Sequence, residues 1–227
     1  MMRAMVLAAG EGRRMRPLTQ RVPKPLLQVA GLPLLERHLR ALAKAGIESV
    51  VVNVSWLGEQ IIAFCGDGQQ WGLDIAMSVE ETPLETAGGI IQARDLLGAE
   101  PFLVISADVY TDLDFTPLLS IRPACGGAHL FMVDNPAHHP GGDFVLWQGR
   151  LSLDGRGEPM TYSGVGIFCP TLFSGYEAGK RALRPVLEIA AQAGKLTGEP
   201  LNATWCDVGT PERLHALNAQ MAVVGHH

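Results

Sequence analysis

The segment MVLAAGEGRRMRPLTQRVPKPLL, residues 5–27, determines how the rest of the chain is interpreted. It begins as a buried strand and breaks at Gly10, with Gly12 two residues later and the small residues Ala8 and Ala9 before it. Because glycine lacks a Cβ and tolerates unusual φ angles, backbone amides at such positions can approach a polyphosphate closely. A GxG after a strand is equally typical of an ordinary turn, and both interpretations are open at this point.

The same segment is rich in basic residues and prolines. The cationic side chains within it are Arg13, Arg14, Arg16, Arg21 and Lys24. Guanidinium and ammonium groups together can neutralise a triphosphate, although a solvated basic face would have the same composition. Pro17, Pro23 and Pro25 stiffen the connection and hold Lys24 in a fixed place, which favours an anion site. Neither GxGxxG nor GxxxxGK[ST] is present, so the segment is neither a dinucleotide fingerprint nor a Walker loop.

Charge and composition limit the class of protein. The net charge of −5 argues against a nucleic-acid binder, yet eight of the 18 Lys and Arg residues fall in the first 40 positions, which indicates one local site for a small anion. No apolar run approaches the roughly 20 residues of a membrane span and no signal-peptide pattern is present, so we expect a cytoplasmic protein with no membrane partner. The four cysteines form no CxxC pair, and we expect buried free thiols.

Apolar runs alternate with helical patterns along the chain, which predicts an α/β fold with a parallel sheet and crossover helices. The predicted strands are Met5–Ala9, Ser49–Val54, Asp74–Val79, Phe102–Ala107, His129–Val133, Phe144–Trp147 and Gly164–Phe168, with a short one ending at Asp207. The predicted helices are Pro33–Ala45, Trp56–Phe64, Ala87–Leu97 and Arg184–Ala193, with a last one from Pro211. Dense Gly and Pro after residue 134 indicates an antiparallel excursion, and we expect a single domain over residues 1–227.

The N-terminal segment resembles a known family. LAAGEGRRMRPLT followed by PKPLL is similar to the signature LAAGxGxRMxPLT…PKPL of the sugar-1-phosphate nucleotidylyltransferases. The resemblance implies a Rossmann-like nucleotidyltransferase fold, with a doubly wound, mostly parallel sheet and a small antiparallel excursion on the sugar side. It also implies that Ala8, Gly10, Gly12, Arg13 and Arg14 meet the nucleoside triphosphate, and that Lys24 bridges the phosphates of both substrates. Many members have Thr where this chain has Arg13.

Two aspartates follow apolar strands, Asp108 in FLVISAD and Asp207 in ATWCDVGT. The carboxyl ends of strands in an open α/β sheet line one crevice, so both carboxylates can converge there and form a hard-oxygen site suited to Mg²⁺. An aspartate in this position can equally be a helix cap or a turn residue. The resemblance favours the metal site, because family members have one aspartate after the fourth strand and another in a late WxDxGT segment.

The base and sugar sites are assigned by the same resemblance. VEETPLETAGGI is similar to the segment that holds the nucleobase, which assigns Glu80 and Gly88, whereas Glu85 can equally be a charge at a helix start. NPAHHPGGDFVL resembles the sugar-side loop of the N-acetylmuramate 1-phosphate uridylyltransferase subfamily. It implies sugar contacts at Ser106, Gly142, Asp143 and Ser163. We expect the loop that contains His138 and His139 to line the sugar site rather than to bind a metal, since adjacent histidines seldom bind one ion together.

The resemblance implies transfer of a nucleoside monophosphate from an NTP, with UTP favoured, to a sugar 1-phosphate in cell-wall recycling. The attacking phosphate is already anionic, so catalysis would use Mg²⁺, Arg14, Lys24 and Asp108 without a general base. The alternatives are a mannose or glucose 1-phosphate nucleotidylyltransferase, a phosphocholine cytidylyltransferase and a catalytically silent sugar-nucleotide sensor. The expected partners are these small molecules, and the sequence does not indicate an oligomeric state.

Overall fold

The computed structural model describes residues 2–224, so the terminal Gly225, His226 and His227 lie outside the described residues. Its elements follow one another along the chain as β1 (Ala4–Leu7), β2 (Gln28–Val29), β3 (Leu32–Pro33), α1 (Leu34–Lys44), β4 (Ser49–Val54), α2 (Gly58–Cys65), β5 (Asp74–Val79), α3 (Glu85–Gln92), α4 (Arg94–Leu97), β6 (Phe102–Ser106), β7 (Val109–Thr111), β8 (Ala128–Val133), β9 (Phe144–Trp147), β10 (Arg150–Ser152), β11 (Glu158–Phe168), α5 (Leu183–Gln192), β12 (Leu196–Pro200), β13 (Trp205–Asp207) and α6 (Pro211–Val224).

The main sheet has nine strands in the order β5-β4-β1-β6-β11-β8-β12-β10-β9. The first four are parallel, and β12 is parallel to β8. Strand β11 lies antiparallel between β6 and β8, and β10 is antiparallel to β12 and β9. The predicted α/β fold with a mostly parallel sheet is therefore confirmed. Both halves of the chain share this sheet, whereas the single domain over residues 1–227 stays a prediction.

The sheet is covered by helices on both faces because its strands are apolar on both sides. In β1, Val6 points toward one buried cluster and Met5 toward the other, as the two-residue period of a strand requires. The first cluster includes Leu39 and Leu42 of α1, and the second includes Ile90 of α3. This arrangement is the doubly wound architecture, and it leaves the carboxyl ends of the central strands open.

A third buried cluster ties the N-terminal segment to the end of the chain. Met15, Leu27 and Val29 pack with Val208 and with Leu217 of α6. The side chain of Asn218 accepts a hydrogen bond from the Ala30 N–H (2.8 Å) and donates one to the Gln28 carbonyl (3.2 Å). Helix α6 therefore fixes the segment after β1 against the sheet, which positions the basic loop.

Most predicted elements agree with the structure to within two residues at each end, and two differ by more. The predicted helix Ala87–Leu97 is two helices, α3 and α4, separated at Ala93. The predicted strand Gly164–Phe168 begins six residues earlier, at Glu158, because residues 158–160 pair with β9 before the strand runs between β6 and β8. The antiparallel strand β11 thus lies in the middle of the sheet. The sequence pattern of a strand indicates which of its faces is buried but does not identify the strands with which it pairs.

Burial of the cysteines was predicted incorrectly for three of the four. Cys65 is buried, whereas Cys125 is exposed and Cys169 and Cys206 are half-buried, all as free thiols. The prediction used the average behaviour of cysteine, but Cys125 lies in the loop before β8 and Cys169 directly after β11. None of the helices within residues 2–224 combines the length and hydrophobicity that crossing a bilayer requires.

Candidate active site

Three adjoining cavities open at the carboxyl ends of β1 and β6, with volumes of about 750, 240 and 220 Å³. Asp108 lines all three of them. Lys24 lines the two smaller cavities, and Arg14 lines the largest and the smallest. Ligands bind at this edge in most open α/β sheets, so the three spaces together form one candidate active-site cleft. We call the spaces of 750, 240 and 220 Å³ the large, middle and loop cavities.

The middle cavity is lined by backbone and by a buried polar pair. Ala8, Ala9 and Gly10 form one wall. Asn53 accepts a hydrogen bond from the Ala8 N–H (2.8 Å) and donates one to the buried carboxylate of Glu80 (2.7 Å). The other oxygen of Glu80 accepts from the Leu84 N–H at 2.8 Å. These contacts fix the edges of a polar slot in which planar hydrogen-bonding groups can be held.

The loop cavity is formed by the glycine loop. Gly12 has φ of +61°, and a Cβ there would lie 2.9 Å from Thr19 Cγ2, so only glycine fits. The Arg13 guanidinium is 76% exposed and pairs with Glu11 at 2.5 Å, which lowers the pKa of the Glu11 carboxyl. Arg14, by contrast, makes no ion pair with any residue between 2 and 224. Of Arg13 and Arg14, which both line the loop cavity, Arg14 is therefore the one available to an incoming anion.

Lys24 is held at the junction of the cavities by Asp108. The Nζ–Oδ2 distance is 2.6 Å, and the side chain of Lys24 is 10% exposed whereas that of Asp108 is 44% exposed. The prolines predicted to fix Lys24 place it in a short helical turn, residues 24–26, with its stem buried. The ammonium group thus faces the cleft from a rigid support, and the open carboxylate can accept a further cation.

Asp207 lies close to Asp108 because β13, which contains Asp207, pairs with β7, which begins directly after Asp108. In the two-stranded sheet of β7 and β13, Asp207 pairs with Val109, and the Val208 N–H donates to the Asp108 carbonyl at 2.8 Å. Both carboxylates line the large cavity, about 100 residues apart in sequence. The Asp207 carboxylate also forms an ion pair with Arg213. Within residues 2–224 no cluster of three or more His, Cys, Asp and Glu side chains is arranged to hold a metal ion.

Part of the wall of the large cavity is polar. Asp143 lines it and accepts hydrogen bonds from the Tyr162 N–H (2.8 Å), His139 Nε2 (3.2 Å) and Arg184 Nη1 (3.2 Å). Ser163 and Ser106 line it as well, and so do both His138 and His139, as expected. The two histidines face different carboxylates, since His138 approaches Asp207 and His139 approaches Asp143. The structure therefore does not bring them to one ion.

Two predicted contact residues lie away from the cleft walls. The Gly88 N–H donates to the Arg181 carbonyl at 3.0 Å, so it is not available to a base edge, and the bare Cα lets the backbone of residue 179 pack against α3. Gly142 has φ of +63° in the turn before β9, close to Asn135. Both glycines are needed for chain packing, which explains their presence without a ligand contact.

Sequence reasoning missed several residues of the cleft. They are Asn53, Thr86, Thr161, Tyr162, Arg184 and Trp205, together with Arg213 behind Asp207. One of them has a signal in the sequence, because Asn53 is a polar residue inside the apolar strand SVVVNV. The others depend on tertiary contacts, as when the Trp205 indole N–H donates to the Ser163 carbonyl at 2.8 Å.

A buried histidine supports the strand that follows Asp108, and it predicts a pH dependence. His38 is 2% exposed, donates a hydrogen bond to the Val109 carbonyl at 2.8 Å, and burial lowers its pKa from 6.5 to about 4. Between those values the unfolded state binds the proton first, so the free energy of unfolding should fall by on the order of 3 kcal/mol as pH drops from 6.5 to 4.

Denaturant unfolding of the wild type and His38→Gln between pH 7 and pH 4 tests this expectation. Glutamine keeps a donor for Val109 but does not titrate, so its curve should decline less steeply than that of the wild type. Exposed carboxyls with lowered pKa values, such as Glu11 and Asp114, are common to both proteins and cancel in the difference. Parallel curves would show that His38 does not contribute.

Comparison with known proteins gives one family and several similar chains. A family model described as nucleotidyl transferase matches residues 3–136. N-acetylmuramate alpha-1-phosphate uridylyltransferase of Neisseria meningitidis serogroup B is 49% identical over 226 residues, which cover 96% of this chain and 97% of that protein. Mannose-1-phosphate guanylyltransferase catalytic subunit beta of Danio rerio is 30% identical over 93% of this chain, and the match spans only 62% of that protein.

Solved structures give the same fold. A Bacillus anthracis protein assigned as a glucose-1-phosphate thymidylyltransferase, in complex with a sucrose, superimposes with a TM-score of 0.85 over 97% of this chain and 95% of that one, at 19% identity. HddC from Yersinia pseudotuberculosis complexed with GMP-PN has a TM-score of 0.79 over 97% of this chain and the whole of that one, at 22% identity. The predicted Rossmann-like nucleotidyltransferase fold is confirmed.

Proposed function

Since this chain belongs to the nucleotidyl transferase family, we propose that it transfers the uridine monophosphate group of UTP to N-acetylmuramic acid α-1-phosphate and releases pyrophosphate. One observation supports the reaction above others: Asp108, paired with Lys24, lies where the middle, loop and large cavities meet. A base, a triphosphate and a sugar phosphate can occupy these three spaces with their phosphates converging on that pair. The 49% identical relative supports the choice of substrates and a role in cell-wall recycling.

The nucleotide is held by backbone and by fixed polar groups in this proposal. The walls of the middle cavity at Ala8 and Gly10 admit a planar base, with Asn53 and Glu80 rigidly bonded behind them. The loop cavity receives the β- and γ-phosphates against Gly10 and Gly12, where amides can approach without a Cβ between them. Arg14 donates to these oxygens because no carboxylate within residues 2–224 is paired with its guanidinium.

The transfer is an in-line displacement that needs no covalent enzyme intermediate. A phosphate oxygen of the sugar phosphate attacks the α-phosphorus of UTP, a P–O bond forms, and the bond to pyrophosphate breaks. Lys24 donates to the phosphate oxygens at the junction and lowers the repulsion between the two anions. The attacking phosphate is already deprotonated near neutral pH, so no side chain has to remove a proton. Positioning and charge neutralisation therefore account for the proposed catalysis.

Asp108 and Asp207 fit a magnesium ion in their donor chemistry. Both offer carboxylate oxygens from neighbouring strands to one cavity, and phosphate oxygens of the substrates would complete the hard-oxygen set. When bound there, Mg²⁺ would supply positive charge to offset the repulsion between the two anions and the charge on the leaving pyrophosphate. Asp108 and Asp207 are the residues that would hold it.

The size and the polar lining residues of the large cavity favour a bulky amino-sugar phosphate as the second substrate. Its volume of about 750 Å³ exceeds that of the middle cavity by threefold, and Ser163, Thr161 and Asp143 give it polar groups for hydroxyl and amide contacts. Asp143 is fixed by three hydrogen bonds and the buried Ser163 backbone is bonded to Trp205. We propose Ser106, Asp143 and Ser163 as the sugar-side residues on this basis.

A substrate panel scored by pyrophosphate release tests the proposal. UTP with N-acetylmuramic acid α-1-phosphate should give the highest kcat/KM, by at least about 10-fold over UTP with glucose 1-phosphate, GTP with mannose 1-phosphate or CTP with phosphocholine. If pyrophosphate release is highest with GTP and mannose 1-phosphate, the protein is a mannose-1-phosphate guanylyltransferase instead. That activity appears in the name of the 30% identical Danio rerio relative. UTP binding without any pyrophosphate release would identify a silent sensor instead.

A further inference from the structure

Arg213 connects the two sides of the cleft. It is the third residue of α6, and its Nη1 donates to the carboxylate of Asp207 and to Nε2 of His138, the latter at 3.0 Å. A guanidinium has donors only, so Nε2 of His138 is the acceptor in this contact. One N–H-bearing nitrogen thus joins Asp207 of β13 to the loop that forms the sugar-side wall.

The position of Arg213 is built into the fold. Its guanidinium lies against Gly209, where a Cβ would be only 2.6 Å from Nη2, so glycine at this position lets the guanidinium approach the backbone closely. Helix α6 is fixed by Leu217 in the third buried cluster and by Asn218 on the segment after β1. The side chain of Arg213 is 23% exposed, and the contact therefore has a rigid base.

The contact places a permanent positive charge on a proposed metal ligand. Arginine stays protonated at all working pH values, and two cations cannot share one carboxylate oxygen without strong repulsion. Asp108 shows the same arrangement with Lys24 at 2.6 Å. Each proposed ligand thus has a protein cation on one of its two carboxylate oxygens, and that cation repels a metal ion that binds to the same carboxylate.

We propose that Arg213 is a positioning residue that competes with the metal ion for Asp207 and, when displaced, shifts with His138 toward the anionic sugar phosphate. The proposal rests on the assignment of Asp207 as a metal ligand in the proposed function. It adds a coupling between the sites: metal binding frees the guanidinium at the same time as the sugar-side loop loses the contact with Asp207 that runs through Arg213. Binding of the metal would then prepare the large cavity for its anion.

Direct binding of Mn²⁺ to the nucleotide-free protein, followed by the electron paramagnetic resonance of the free ion, tests the competition. Arg213→Gln should bind Mn²⁺ about 10-fold or more tightly than the wild type, because the competing charge is gone. Arg213→Lys keeps the charge and should stay within about threefold of the wild type. Arg184→Gln is the matched control, since it removes a cavity arginine that pairs with Asp143 instead, and it should change the affinity by less than about twofold.

Unfolding cannot imitate the expected result, because an unfolded variant would lose Mn²⁺ binding. If Arg213→Gln does not fold, Arg213→Met retains the apolar stem against Gly209 without the charge and should show the same gain. If a folded Arg213 variant binds Mn²⁺ no more tightly than the wild type while Asp207→Asn loses Mn²⁺ binding, the competition by Arg213 is refuted and the metal assignment of Asp207 stands. Wild-type affinity in Asp207→Asn would remove the metal assignment of the proposed function and this inference with it.

Discussion

Replacing Lys24 by alanine is expected to lower kcat by about 10²–10³-fold, because a preorganised donor at the reacting phosphates contributes several kcal/mol to the transition state. The side chain of Lys24 is 10% exposed, its Nζ lies 2.6 Å from Asp108 Oδ2, and it lines both smaller cavities. Water that enters in its place cannot supply a fixed positive charge. Steady-state pyrophosphate release under saturating Mg²⁺ measures the effect.

Two further variants separate charge from packing at this position. Lys24→Met retains the buried stem, so it should lose activity to the same extent as the alanine variant. Lys44→Ala, at the exposed end of α1, removes a lysine far from the cleft and should leave kcat within about twofold of the wild type. Near-normal turnover of Lys24→Met would refute the assignment. A comparable loss in Lys44→Ala would show that the assay responds to net charge.

Asp108→Asn is expected to reduce kcat/KM by at least about 10²-fold, since an amide cannot balance Lys24 or hold a divalent cation as a carboxylate does. The substitution preserves side-chain volume, and Asp108 is 44% exposed, so the fold should tolerate it. The loss should be only partly relieved at high Mg²⁺ concentration. A titration of activity against Mg²⁺ for the wild type and the variant measures both effects.

Asp114→Asn is the control for the previous variant. Asp114 is exposed and accepts hydrogen bonds only from the neighbouring Thr116, so the variant should have wild-type kcat/KM within about twofold. An Asp108→Asn enzyme that reaches the wild-type rate at saturating Mg²⁺ would limit Asp108 to metal affinity. Full activity at every Mg²⁺ concentration would exclude Asp108 from the reaction.

The sequence predicts those parts of the site that depend on local chemistry. The glycine loop follows from the conformational freedom of Gly12, and the fixed position of Lys24 follows from the prolines on both sides of it. The convergence of Asp108 and Asp207 follows from a general property of parallel sheets, and the structure places both on the large cavity. Their roles in catalysis stay predictions until the variants are measured.

The remaining residues depend on long-range packing that a single sequence does not specify. Arg213 meets Asp207 and His138 only because α6 returns to the sheet beside the first loop. Gly88 and Gly142 have the residue type of a close ligand contact, but a neighbouring segment approaches each of them instead. A glycine in a pattern indicates that something comes close, and only the fold tells whether it is a ligand or another part of the chain.

The central position of β11 has a consequence for synthesis of the protein. Strands β1, β4, β5 and β6 are complete once residue 106 has left the ribosome, yet the next strand beside β6 is not available until residue 168. During that interval the nascent chain presents the open edge of β6, with unpaired amides and carbonyls beside buried apolar side chains, to any other strand. Chains truncated before residue 158 should therefore aggregate or require a chaperone, whereas the full chain closes this edge from within.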